Sequence, residues 1–307
     1  SSSTVTALVV GIVGAGGLTV AGAIPMIMGA NIGTTVTNTL VSLGHVSRRD
    51  EFRRAITAAT VHDFFNLICV SILFPLELMT GYLQKSASWL AGRFVGTELE
   101  TFNSPIKLIT KPTVKAIQHL LESITGSSNL TYGLMAALSM VMLFLALYFI
   151  VKVMKSLVMN RAEIVMDNVL SRSAGLALFV GLIFTIVVQS SSITTSLMIP
   201  LVASGILTIE AVFPITIGAN IGTTTTAILA SLATGNPNGI IIAFAHFLFN
   251  LTGTVVIYPI PLFRKIPIDL AKSLGNMAAE KRWLAFLYVL GLFFILPGLL
   301  IFISRCF

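Results

Sequence analysis

The sequence predicts an all-α polytopic membrane protein. It is built from two inverted-topology repeats, each carrying a broken or re-entrant helix hairpin. Three observations carry the prediction. First, 55% of the 307 residues are hydrophobic and 10% are charged, against about 25% charged in soluble domains. Mean hydropathy is +0.94, and the apolar runs are continuous rather than alternating, which argues against a β-barrel. Second, the heptapeptide GANIGTT occurs twice, at 29–35 and at 218–224, an offset of 189 residues. Third, the loops that follow the two copies differ sharply in charge.

The repeat extends well beyond the heptapeptide. At the same offset, "SSSTVTALVVGIVGAGGLTVAGAIPMIMGANIGTT" lies without a gap on "SSSITTSLMIPLVASGILTIEAVFPITIGANIGTT". Thr19 falls on Thr208, Pro25 on Pro214 and Ser42 on Ser231. The match resumes with "VHDFFNL" at 61–67 on "AHFLFNL" at 245–251, now at an offset of 184. Such self-similarity is an internal duplication. The first connecting loop, "GHVSRRDEFRR", carries Arg48, Arg49, Arg53 and Arg54, whereas the second, "ATGNPNG", has no charge. The positive-inside rule puts the first loop in the cytoplasm and the second outside. The same elements then run in opposite directions, an arrangement found in many secondary transporters.

In chain order, residues 1–80 form the first repeat. Its counterpart is preceded by the apolar arm Ser173–Gln189. Repeat symmetry therefore predicts a missing leading arm, ending in Gln, ahead of Ser1. Residues 81–130 read as an extracellular loop region with an amphipathic, interfacial helix at 105–124 and an Asn-Leu-Thr sequon at 129–131. Residues 131–172 read as a linking transmembrane helix, centred on the apolar window 130–151, and a cytoplasmic loop with four basic residues. Residues 173–262 form the second repeat, with an apolar window at 240–262. Residues 263–307 give an interfacial segment with five basic residues, again inside, and a last transmembrane helix over 283–303.

The net charge of +7 comes from these short basic stretches, so it points to a lipid bilayer and not to nucleic acid. Cys69 and Cys306 both lie in apolar surroundings and suggest neither a disulfide nor a metal site. No zinc spacing, catalytic triad or P-loop is present, and "GIVGAGG" at 11–17 lacks a βαβ context. The chain does not read as an enzyme and calls for no cofactor. Nothing in the sequence specifies an oligomeric state.

The duplicated segments carry the chemistry. "QSSSITTS" spans Gln189 to Ser196 inside an apolar run. Polar groups at membrane depth are costly unless satisfied, and irregular backbone survives there only in a protein-lined or watery cavity. The triplet thus marks the tip of a hairpin, with Ser/Thr back-bonding to helix carbonyls as the simpler alternative. In GANIGTT, Gly29, Gly33, Gly218 and Gly222 either open the helix or serve close helix packing. Opened backbone near Asn31, Thr34, Thr35, Asn220, Thr223 and Thr224 suits sodium. Asp63 lies in the apolar run 55–76, where an ionisable group costs about 2.5–3.5 kcal/mol to insert and marks a functional site. Facing a cavity, it is a good sodium ligand. Asn66 and its counterpart Asn250 join the candidate sodium set. Phe247 replaces Asp63 in the second repeat, so a site built on Asp63 occurs once. His62 and His246 read as structural histidines satisfied by hydrogen bonds.

At these residues the chain resembles the type II sodium–phosphate cotransporter family. The likeness rests on Gln189–Ser192 with its partner Ser1–Ser3, "GANIGTTVTNT" at 29–39, "EFRRA…ATVHDFFN" at 51–66 and "AHFLFN…YPIP" at 245–261. It implies an alternating-access symporter in the plasma (inner) membrane, with inorganic phosphate and sodium ions as its partners. The resemblance carries the phosphate site to Ser1, Ser2, Ser3, Gln189, Ser190, Ser191 and Ser192, with Thr194 and Thr195 as neighbours. It implies charge-moving transport through Asp63. The short loop without a cysteine pair looks like that of a bacterial homologue. A symporter of another small anion, such as a carboxylate, is the alternative on the same scaffold.

Overall fold

A computed structural model describes residues 2–95, 105–126, 129–139, 141, 142, 145, 149 and 173–306; for 95, 105–110, 300 and 303–306 only the backbone is described. Among the described residues there is no strand. The helices are α1 (Ser2–Gly14), α2 (Val20–Gly33), α3 (Val36–Ser42), α4 (Arg49–Thr80), α5 (Tyr82–Val95), α6 (Pro105–Thr125) and α7 (129–139). They continue as α8 (Ala174–Val188), α9 (Ser191–Ala203), α10 (Ile209–Thr234), α11 (Pro237–Ile257), α12 (Pro261–Glu280), α13 (Trp283–Leu290) and α14 (Leu296–Cys306).

The chain is an integral membrane protein. Among the described residues, four segments are long and apolar enough to cross a bilayer: Val20–His45, Arg49–Thr80, Ile209–Thr234 and Pro237–Ile257. The 26 residues of α10 reach about 39 Å, more than the ~30 Å of hydrocarbon. The 13 residues of α1 and of α9 reach only about 20 Å each, too short to span alone.

Local chemistry sets the ends of these helices, often at equivalent places in the two repeats. Thr19 accepts from Gly22 N at the start of α2 (3.2 Å), and Thr208 accepts from Ala211 N at the start of α10 (3.3 Å). Each side-chain cap satisfies an N–H that the helix cannot. The turns before them need Gly16 at φ +79° and Gly205 at φ +83°, a region that costs a side chain energy. Gly81, also left-handed, ends α4, and the Glu77 carboxylate then caps α5 through the N–H groups of Leu83 and Gln84 (2.5 and 3.2 Å).

Helix α10 lies at the centre. Seventeen of its residues are buried, and it packs against α8, α11, α1 and α9. Its two ends receive the two equivalent turns. At the N-terminal end, Arg54 of α4 donates Nε to Ala203 O (2.8 Å), and Lys272 of α12 meets Glu210 (2.6 Å). At the C-terminal end, Asn236 donates to Gly14 O (2.8 Å).

Several expectations are revised by this geometry. Within the segment read as a loop region at 81–130, α6 coincides with the helix expected at 105–124, whereas α5 was not expected, and its Leu83, Ala87 and Ala91 are buried against the core. The window 240–262 is α11, which stops at Ile257. The window 283–303 is interrupted by a π-helical turn at Gly291–Ile295. In the window 130–151, residues 130–139, 141, 142, 145 and 149 are described and helical; the rest of it and all of the basic loop 152–172 lie outside the described residues.

Candidate functional site

The Ser-rich segment is more helical than its polarity suggested. Only Gln189 and Ser190 leave the helix between α8 and α9. Gln189 sits at φ +56°, the one non-glycine with positive φ among the described residues. Such a conformation costs of order 1–3 kcal/mol and persists only where the surroundings enforce it. Here its own side chain does so: Nε2 donates to Ile186 O (2.5 Å), and Oε1 accepts from Thr226 (2.7 Å). Ser190 caps α9 by accepting from Ile193 N (3.4 Å). Thr194 and Thr195 donate back to Ser190 O and Ser191 O (3.2 and 2.8 Å). The back-bonding alternative therefore describes Thr194 and Thr195, while Ser192 and Ser196 reach across to the first repeat, and the irregular backbone is confined to Gln189 and Ser190.

GANIGTT behaves differently in its two copies. In α10 it is unbroken helix, so the expected opening does not occur there. The reason is packing. A Cβ on Gly218 would strike Leu178 O, and one on Gly222 would come within 2.6 Å of Leu182 O, both on α8. These glycines let two backbones touch. In the first copy the helix does break, between α2 and α3 at Thr34 and Thr35. Gly29 and Gly33 have nothing within 4 Å among the described residues, so the packing role fails for that pair.

The break in the first copy is where the two repeats meet. Ser2 N donates to Thr34 Oγ1 (3.0 Å), and Ser192 Oγ donates to Thr34 O (3.5 Å). Ser3 Oγ donates to Gln189 O (3.4 Å). Asn38 of α3 accepts from both Thr195 and Ser196 (2.9 and 3.0 Å). Ser2, Ser3, Ser191, Thr34, Thr194 and Thr195 are all buried. The two Ser triplets, 189 residues apart, thus converge on the α2–α3 break, and the first described turns of α1 and α9 point into it. Helix N-termini favour anions. Ser1 lies outside the described residues.

Asp63 is fully buried on α4. Its Oδ2 accepts from the Tyr288 hydroxyl of α13 (3.0 Å), while Oδ1 has no hydrogen-bond partner among the described residues. It forms no ion pair with His62 or an arginine there. Thr35 is near enough to interact with the carboxylate. The α2–α3 break therefore borders both the Ser convergence, through Thr34, and Asp63, through Thr35.

The remaining candidates split into two sets. His62 Nε2 donates to Asn220 Oδ1 (2.5 Å), Asn220 Nδ2 to Asn66 Oδ1 (2.8 Å), and Asn66 Nδ2 to Asn31 O (2.9 Å). These asparagines are occupied by one another. Asn31 Nδ2 donates to Ile27 O (3.0 Å). Thr34, Thr35, Thr223 and Thr224 each donate to a carbonyl three or four residues earlier, leaving oxygen lone pairs to accept. His246 departs from expectation. Neither ring nitrogen is partnered among the described residues, and Asn250 Oδ1 is likewise unpartnered, although Asn250 Nδ2 donates to His246 O (3.3 Å).

Tyr288, Asn38, Thr185 and Thr226 were missed. Asn38 had a usable signal: its repeat counterpart is Ala227, so it breaks the repeat with a polar residue at membrane depth. Thr185, which bonds the Thr194 hydroxyl (2.7 Å), and Tyr288 gave no signal, because only tertiary packing brings them to the site.

A family model described as Na+/Pi-cotransporter matches residues 1–85 and 142–258. The chain is 35% identical to sodium-dependent phosphate transport protein 2B of Homo sapiens over 384 residues, covering 97% of this chain and 56% of that protein. It is 36% identical to sodium-dependent phosphate transport protein 2A of Rattus norvegicus over 372 residues, covering 99% of this chain and 58% of that protein. The chain thus spans little more than half the length of these curated relatives. No solved structure matches it.

Proposed function

The chain belongs to the Na+/Pi-cotransporter family, and on that premise we propose that it is a sodium-coupled symporter that imports inorganic phosphate across the plasma membrane by alternating access. The observation that carries the reading is the convergence of Ser2 and Ser192 on Thr34, with Ser3 beside them on Gln189 O. Hydroxyls and the N-terminus of α9 can hold a phosphate dianion there without a buried arginine. Sodium at Asp63, on the other side of the same break, supplies the missing positive charge. Each ligand then strengthens binding of the other by the same factor, which is coupling by linkage.

The architecture we assign to this cycle is a pair of inverted repeats with re-entrant hairpins. Three features support it. The turns at Gly16 and Gly205 are repeat equivalents, yet they lie at opposite ends of α10. Helix α9, bounded by Ser190 and Ser204, is too short to span. The loops after the two heptapeptide segments obey the positive-inside rule in opposite senses. From the family resemblance around Asp63 we carry over charge-moving transport.

Radiolabelled phosphate uptake competed by arsenate and by carboxylates tests the substrate. Competition by arsenate alone fits phosphate; competition by a carboxylate at equal concentration would assign the scaffold to another small anion.

A further inference from the structure

Away from the Ser convergence, a cavity of about 490 Å³ opens where the turn after α9 meets α4 and α12. Its wall includes Arg53, Arg54, Thr57, Thr208, Lys272 and Asn276. The basic loop beside it puts this end in the cytoplasm. Two of the three cations are already neutralised: Arg53 lies 3.6 Å from Asp50, and Lys272 lies 2.6 Å from Glu210. Arg54 is different. No carboxylate pairs with it among the described residues. Its Nε donates to Ala203 O (2.8 Å), which fixes the stem over the Gly205 turn. The two terminal amino groups of the fork have no hydrogen-bond partner among the described residues. A planar guanidinium held this way matches two oxygens of one phosphate group. The hydroxyl of Thr57 and the amide of Asn276 stand on the same wall.

We propose that this cavity is a cytoplasmic oxyanion site, in which Arg54 grips a phosphate group. The phosphate group is either free inorganic phosphate or the headgroup of an anionic lipid; the chemistry of recognition is shared. The site is separate from the Ser convergence. Helix α9 joins them, with Ser190 at one end and Ala203 at the other, about 20 Å apart. Its positive charge comes from a side chain, so binding there needs no sodium. That separates it experimentally from the transport site.

The test is thermal unfolding of the full chain in sodium-free choline buffer. One arm titrates inorganic phosphate against chloride at matched ionic strength in a neutral detergent. The other compares phosphatidylcholine nanodiscs with and without phosphatidylglycerol. A ligand that binds only the folded state raises the midpoint. Wild type should show a rise in at least one arm. Arg54→Gln should require about tenfold more of the same ligand for half the effect, as for one lost charge-assisted pair. Asn276→Asp, at an exposed position, places a carboxylate in the cavity and should abolish the rise, which covers the case of Arg54→Gln failing to fold. A rise with phosphate alone assigns the site to the free anion, and a rise with phosphatidylglycerol alone assigns it to lipid. No rise in either arm, or a rise unchanged in Asn276→Asp, overturns the proposal. Loss of sodium-dependent uptake would count against the transport reading and leave this result untouched.

Discussion

His62 Nε2 lies 2.5 Å from Asn220 Oδ1, joining two residues 158 positions apart and one from each repeat. Asn220 passes the contact on to Asn66 (2.8 Å), and all three side chains are buried. Replacing Asn220 by Ala leaves two buried polar groups without a partner. Each costs about 1–3 kcal/mol. Asn220→Ala should lower the unfolding midpoint in detergent more than Asn236→Ala, which removes a part-buried bond to Gly14 O. Equal midpoints would remove the chain His62–Asn220–Asn66 from the account of stability.

The repeat counterparts of these residues are His246, Asn31 and Asn250, and here the His246 ring nitrogens and Asn250 Oδ1 have no partner among the described residues. If the halves exchange roles when the protein opens to the other side, His246 and Asn31 pair in that state. In a cysteine-free background, the pair Asn31→Cys with His246→Cys should cross-link in one sodium condition. The pair His62→Cys with Asn220→Cys should cross-link in the opposite one. Cross-linking of both pairs under the same condition contradicts the exchange.

The glycines of the second heptapeptide are load points between α8 and α10. Gly218→Ala drives a methyl into Leu178 O and should cost about 1–3 kcal/mol by overpacking. Gly29→Ala meets open space and should be neutral or gain up to about 1 kcal/mol in helix propensity. Matched melting curves for the two variants check this; equal loss in both would count against the packing role.

Much of this was readable beforehand. The offset of 189 put Thr19 on Thr208, and the structure makes both of them helix caps after left-handed turns at Gly16 and Gly205, because capping and such turns depend on local chemistry. The meeting of the Ser triplets was legible through the resemblance. What was not legible depends on packing between distant helices. Gly218 and Gly29 sit in identical heptapeptides, yet only one faces a neighbouring backbone. His62 and His246 share a motif, yet only one finds an asparagine. Tyr288 lies in an apolar segment whose sequence gives no reason to aim a hydroxyl at Asp63.

One oxygen of Asp63 is held by Tyr288, and the other has no hydrogen-bond partner among the described residues, with Thr35 nearby. Asp63→Asn should keep phosphate uptake measurable and reduce the charge moved per phosphate, read by paired current and tracer measurements. Tyr288→Phe should keep the charge ratio and change the sodium concentration for half-maximal uptake. An unchanged ratio in Asp63→Asn would take sodium away from this carboxylate.

Ser191 stands at the start of α9 in the convergence and has no counterpart charge to replace it. Ser191→Ala should lower kcat/KM for phosphate by about tenfold or more, the worth of one hydrogen bond to an anion. Wild-type kinetics would return the triplet to a purely structural role.

On the proposed function, sodium supplies the positive charge that the neutral convergence lacks. Uptake of radiolabelled phosphate into liposomes containing the protein, with sodium or choline outside, tests this. Saturable uptake in sodium should collapse to the level of protein-free liposomes when choline replaces it. Uptake of equal rate in choline would rule out sodium coupling.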